Sequence, residues 1–154
     1  MLRNSLLTIH VLSVVVWLGC GLYEIFIARE LKAARGTPRE VELARVYLKY
    51  AAPVPVATLI VAGTGVWMAI ALHFGFFQLL WLGVKQSLMI GVLIIFAAIL
   101  PMFLAFQRDV EALPPAATQL SADAARRFAR LEPWLIAMRV MGTIAVVFAI
   151  WRPV

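Results

Sequence analysis

The chain has 154 residues, 64% of them hydrophobic and 14% charged, with a net charge of +6. Soluble domains carry roughly 45–50% apolar and about 25% charged residues, so an ordinary water-soluble enzyme or binding domain is excluded. The single cysteine excludes an intramolecular disulfide and any multi-cysteine metal cluster.

A membrane-crossing helix needs ~20 mostly apolar residues, at 1.5 Å rise each, to cross ~30 Å of hydrocarbon. Four runs meet that requirement: about 6–28, 51–73, 82–106 and 133–151. Together they use more than half the chain. The expected fold is therefore all-α: one integral membrane four-helix bundle covering 1–154, with short amphipathic cytoplasmic helices between the spans. The first run is longer than the 7–15 residues or so of a signal-peptide core, so it is expected to be a retained span.

After the first span, the helix is expected to continue to about Ala34. Gly36-Thr37-Pro38 then breaks it, with Thr37 as an N-cap, Pro38 at the first helical position and Glu40 at the third. Pro53 and Pro55 mark the entry to the second span, where the first turn tolerates missing donors. Gly63 and Gly65 at mid-span are expected to permit close helix approach. Trp67, Phe74, Phe76, Phe77 and Trp81 form an interfacial aromatic belt. Pro114-Pro115 breaks the third loop. Ser121 is the expected cap of a short amphipathic helix over 122–131, and Pro133 is expected to restart the chain as the fourth span.

Basic residues are placed unevenly. The first loop holds Arg29, Lys32, Arg35, Arg39, Arg45 and Lys49, and the third holds Arg108, Arg126, Arg127 and Arg130. The second loop, 74–81, holds none. This is the positive-inside pattern, with loops one and three cytoplasmic and both termini outside. The basic excess therefore faces anionic lipid headgroups of the bilayer and not a nucleic acid.

Ionisable groups inside apolar spans mark function by default. His10, Trp17 and Glu24 recur every seven residues, which keeps them within ~20° per step of one line on the first helix. Ser13 and Cys20 lie on the neighbouring stripe. A neutral imidazole in such a seam suits a helix–helix hydrogen bond or a metal or heme iron. Trp17 reads as packing and Cys20 as a small residue between glycines.

Lys85 opens the third span from the same outer side as His10. It either snorkels to the surface, pairs a propionate or substrate carboxylate, or takes part in proton transfer as a catalytic group. Gln86 adds a second polar group there. His73, at the outer end of the second span, is an interfacial residue or a second axial ligand. The inner half carries Glu24, Glu132 and Arg139, and an ion pair between Glu24 and Arg139 is expected to fix helix arrangement. The methionines read as packing, with soft copper ligation as the alternative.

The stretch T-I-H-V-L-S-V-V-V-W-L-G-C-G-L-Y, residues 8–23, resembles the opening helix of the HemJ-type membrane protoporphyrinogen oxidases. W-L-G-V-K-Q-S-L-M, residues 81–89, resembles that family's W-L-x-x-K entry to the third helix. L-E-P-W-L-I and the closing W-R-P, within 131–153, resemble its Glu-x-Pro start and basic-Pro finish of the fourth. The resemblance implies a heme b protein of the bacterial inner membrane, multi-pass. His10 would be the axial ligand, with Lys85 the partner base and Trp17 and Arg139 lining the cofactor. It also implies oxidation of the porphyrin protoporphyrinogen IX, with electrons passing to a quinone or the respiratory chain. Where the family usually reads Leu-Pro-Arg, this chain has Glu24-Ile25-Phe26. The CopD-type copper proteins share the helix number and the early His-x(6)-Trp pattern. A copper-handling protein using His10, Met89 and Cys20 is thus the second expectation. A non-catalytic accessory subunit is the third. Glycine-lined faces in small bundles favour pairing, so a homo-oligomer is also expected.

Overall fold

The computed structural model describes residues 2–73 and 76–151. Five helices follow in order: α1 (Leu2–Ala33), α2 (Glu40–Ala51), α3 (Val54–Ala71), α4 (Leu80–Glu111) and α5 (Ala122–Trp151). No strand occurs among the described residues. Four helical stretches are long and apolar enough to cross a membrane: α1, α2 with α3, α4, and α5. Their outward faces are apolar; Leu12, Val15, Phe26 and Ile94 are all exposed. An apolar surface this extensive needs a non-aqueous surrounding or a partner.

The helices pair as α1 with α3 and α4 with α5, and the two pairs meet mainly where α1 touches α5 and where α2 touches α1 and α4. One end of the bundle holds α2 and the loops 34–39 and 112–121, and is called here the basic end. The other, where residues 72–79 join α3 to α4, is the hairpin end. Phe74 of the expected aromatic belt lies outside the described residues, as do Arg152 and Pro153. Trp67, Phe76 and Phe77 of that belt are exposed.

Helix α2 is amphipathic and too short to span. Its buried stripe of Val41, Ala44, Tyr47 and Ala51 closes the basic end. Tyr47 meets Phe106 and Phe128 with ring centroids 6.3 and 5.2 Å away, edge-on, the geometry aromatic quadrupoles favour. Glu40 accepts from the backbone N–H of Gly36 at 3.1 Å and of Leu120 at 3.4 Å. Arg45 donates to the carbonyl of Pro114 at 3.2 Å. Both loops are thus fastened to α2.

Three local expectations are corrected. Thr37 is not an N-cap: its hydroxyl donates back to the Ala34 carbonyl, and α2 starts later, at Glu40, behind Arg39. The Gly36-Thr37-Pro38 break takes one more turn of backbone to reverse the chain, with Gly36 at φ 75°. The short helix over 122–131 and the fourth span are one continuous α5, with Pro133 inside it. Proline removes one donor and leaves one carbonyl, here that of Ala129, without its intrahelical partner. Packing of both flanking segments on neighbouring helices holds the axis through that gap. Gly63 meets nothing within reach, so it does not mediate a close approach. Ser121 caps α5 as expected, its hydroxyl accepting from the Ala124 N–H at 3.1 Å.

Candidate functional site

His10 follows from its place on α1. Every seventh residue from it, Trp17, Glu24 and Leu31, is buried, so this line is the helix's inward face. The His10 ring is 6% exposed. Its Nδ1 lies 2.9 Å from the Thr64 hydroxyl on α3. That hydroxyl has one hydrogen, and it points to the Ile60 carbonyl at 2.5 Å, the back-bond typical of threonine in a helix. With its hydrogen turned that way, the Thr64 oxygen accepts from the His10 Nδ1–H, and the His10 ring also hydrogen-bonds the Val61 backbone. In a neutral imidazole the proton resides on Nδ1, which leaves Nε2 with its lone pair. Gly65 brings α3 against the other edge of the ring, where a Cβ would stand 3.5 Å from Cε1.

Lys85 is half-buried in the second turn of α4 and close enough for its charge to act on His10. It has no hydrogen-bond or ion-pair partner among the described residues. The helices that carry these two groups are not packed against one another along their length. Beside Lys85, Gln86 accepts from the Phe77 N–H at 2.8 Å and so fixes the turn before α4. His73 is exposed, just past the end of α3 with φ 53°. It is nine residues beyond Thr64, about 13 Å along the axis, and is not brought to His10.

The lower part of the seam is an electrostatic joint between α1 and α5. Arg139 Nη2 and Glu24 Oε2 are 2.5 Å apart, with side chains 6% and 5% exposed. Arg139 Nη1 also reaches the Trp17 carbonyl at 3.4 Å, and its guanidinium carbon lies 5.1 Å from the Trp17 ring. Two glycines make the joint fit. A Cβ on Gly21 would occupy the Arg139 side chain, and one on Gly142 would occupy the Trp17 ring. Glu132 pairs with Lys32 at the basic end, an ion pair that the sequence reading does not anticipate.

His10 and Lys85 are thus brought into one neighbourhood, and Trp17, Glu24 and Arg139 into a second, joined by α1. Cys20 is partly buried against the core and ten residues from His10, about 15 Å along the helix. Two residues matter that the sequence reading passes over. Thr64 is one of two hydroxyls in the interior of its apolar span, with Thr58, and its level opposite His10 is the signal that marks it. Tyr47 lies on the apolar stripe of α2 and gives no such signal. Comparison with family models, with curated proteins and with solved structures finds no match for this chain.

Proposed function

We propose that the chain is a membrane protein with both termini outside that binds heme b through His10 and serves a redox reaction. This is the reading that the resemblance to HemJ-type protoporphyrinogen oxidases implies. The observation that carries it is the hydrogen bond from His10 to Thr64. A histidine that ligates iron or another metal almost always ties its other ring nitrogen to a fixed acceptor, which sets tautomer and orientation. A proton on Nδ1, held by Thr64, would leave Nε2 the lone pair a metal needs, which supports this reading.

The residues fit heme in their donor chemistry. His10 is a buried imidazole at the hairpin end, and Lys85 is a cation without a partner beside it. Heme, when bound, supplies a one-electron iron couple and absorbs strongly in the visible. Thr64 holds the imidazole. Lys85 would be the cation to meet a propionate or the carboxylate of a porphyrin substrate. Trp17, Glu24 and Arg139 secure α1 against α5 and keep the His10 face from rotating. Copper handling draws less support: His10 and Cys20 are too far apart on one helix to share an ion. No group of three or more His, Cys, Asp or Glu side chains is placed to hold a metal ion among the described residues.

The test is a visible spectrum of the full chain purified in detergent from a heme-replete host, oxidised and then reduced. A Soret band is expected, and His10→Ala should abolish it while leaving the helical content unchanged. A colourless preparation overturns the reading, as does stoichiometric copper without porphyrin or a Soret band indifferent to His10→Ala.

A further inference from the structure

A cavity lies away from His10, between α1 and α5 at the basic end. It has a volume of about 530 Å³ and runs from Gly21 to Lys32 along α1, with Tyr47 of α2 in its wall. The eleven steps of helical rise from Gly21 to Lys32 make it about 16 Å long. That volume is in the ~300–1,000 Å³ range of small-molecule sites.

Its charges do not cancel. Glu24 is occupied by Arg139, and Glu132 by Lys32. Arg29 is the third cation of the lining, exposed, with no partner among the described residues. The excess positive charge is thus near the mouth. Below it the walls are apolar, formed by Ile25, Ala28, Leu135 and Ile136. Ile136 is also part of the exposed apolar surface of the bundle, so the cavity opens sideways onto that surface. Within this wall is the Tyr47 hydroxyl. Tyr47 is 1% exposed, and its oxygen has no hydrogen-bond partner. Buried hydroxyls are nearly always paired, so the Tyr47 O–H is the donor in this wall with capacity left for an occupant's acceptor.

We infer that this cavity binds one anionic glycerophospholipid. The three features match three parts of such a molecule. Its phosphate meets Arg29 at the mouth, an ester carbonyl accepts from the Tyr47 O–H, and an acyl chain runs out past Ile25 and Ile136. Basic pockets between membrane helices on the positively charged side hold anionic headgroups in this way. A soluble acid would satisfy Arg29 and leave the apolar wall uncovered. The inference is independent of heme binding at His10.

The experiment is native mass spectrometry of the full chain in detergent, with phosphatidylglycerol and phosphatidylcholine of the same acyl chains added in turn. Phosphatidylglycerol should remain bound at activation that strips phosphatidylcholine. Arg29→Gln should weaken its retention by about fivefold, the worth of one basic residue near an anionic headgroup. Tyr47→Phe should weaken it by about threefold through loss of a single hydrogen bond. Both variants should keep the wild-type circular dichroism, since neither changes the packing volume much. Arg126→Gln, at the same end but outside the cavity, should change nothing. Equal retention of the two lipids overturns the inference, as does an Arg126→Gln loss equal to that of Arg29→Gln. Displacement of phosphatidylglycerol by millimolar inorganic phosphate also overturns it, by making the site one for a free anion.

Discussion

The two ends of the bundle handle polar groups in opposite ways. At the basic end the buried charges and several exposed ones are paired: Glu24 with Arg139, Lys32 with Glu132, Arg127 with Asp109 at 3.0 Å, and Glu40 with two backbone donors. Three aromatic rings seal this end. At the hairpin end the buried polar set is small and incompletely used. His10 spends one ring nitrogen on Thr64, and Lys85 has no partner among the described residues. A fully satisfied network rigidifies, whereas a group with unused bonding capacity in an apolar setting is available to a ligand. The paired charges hold the architecture at the basic end, while unused donors, Tyr47 there and Lys85 at the hairpin end, are what remains for ligands.

Substitutions at the Glu24–Arg139 joint should have the largest effect. Glu24→Gln or Arg139→Gln leaves a buried charge or its donors unpaired and is expected to destabilise by about 3–5 kcal/mol. The double change Glu24→Leu with Arg139→Met should recover most of that, measured by detergent-titrated unfolding. Single variants within 1 kcal/mol or so of wild type would break the contrast between the ends. Gly142→Val drives a side chain into the Trp17 ring, an overpacking worth about 1–3 kcal/mol. In a Trp17→Leu background the same change should cost much less, which a double-mutant cycle reads directly. Thr64→Val keeps the shape and removes the acceptor of His10. At the proposed heme site it should lower heme affinity by about ten- to a hundredfold with little change in unfolding, and Thr64→Ser should restore it. The smallest effect belongs to Lys32→Gln, below about 1 kcal/mol, because Lys32 is 56% exposed.

What the sequence made legible follows from how local each signal is. The spans could be read because length and hydrophobicity are summed over twenty residues, so a misjudged residue or two does not matter. The Glu24–Arg139 pair was legible because both groups are expensive in an apolar helix and their depths match. The seam through His10, Trp17 and Glu24 was legible because a seven-residue spacing returns to the same face of a helix. Pro133 misled, since a proline reads as a boundary and its tolerance depends on tertiary support that a single sequence does not show. Gly63 and Gly142 illustrate the same limit. Each glycine permits close approach, but only the neighbouring helix decides whether one occurs, and here Trp17 fills the space at Gly142 alone. Thr64 and Tyr47 escaped because their roles depend on a partner more than fifty residues away, or on an empty space, neither of which leaves a periodic trace.

The joint between Glu24 and Arg139 spans 115 residues of sequence. A chain made from its N-terminus completes α1, α2, α3 and α4 before Arg139 exists. At synthesis rates of about 5–20 residues per second, the carboxylate of Glu24 waits on the order of ten seconds for its counter-ion. During that interval the first half of the molecule carries an unmatched acid on its inward face, and α5 is the helix that neutralises it. Closure of the bundle therefore waits for α5, and a nascent chain stopped before it is marked as unclosed by its own electrostatics.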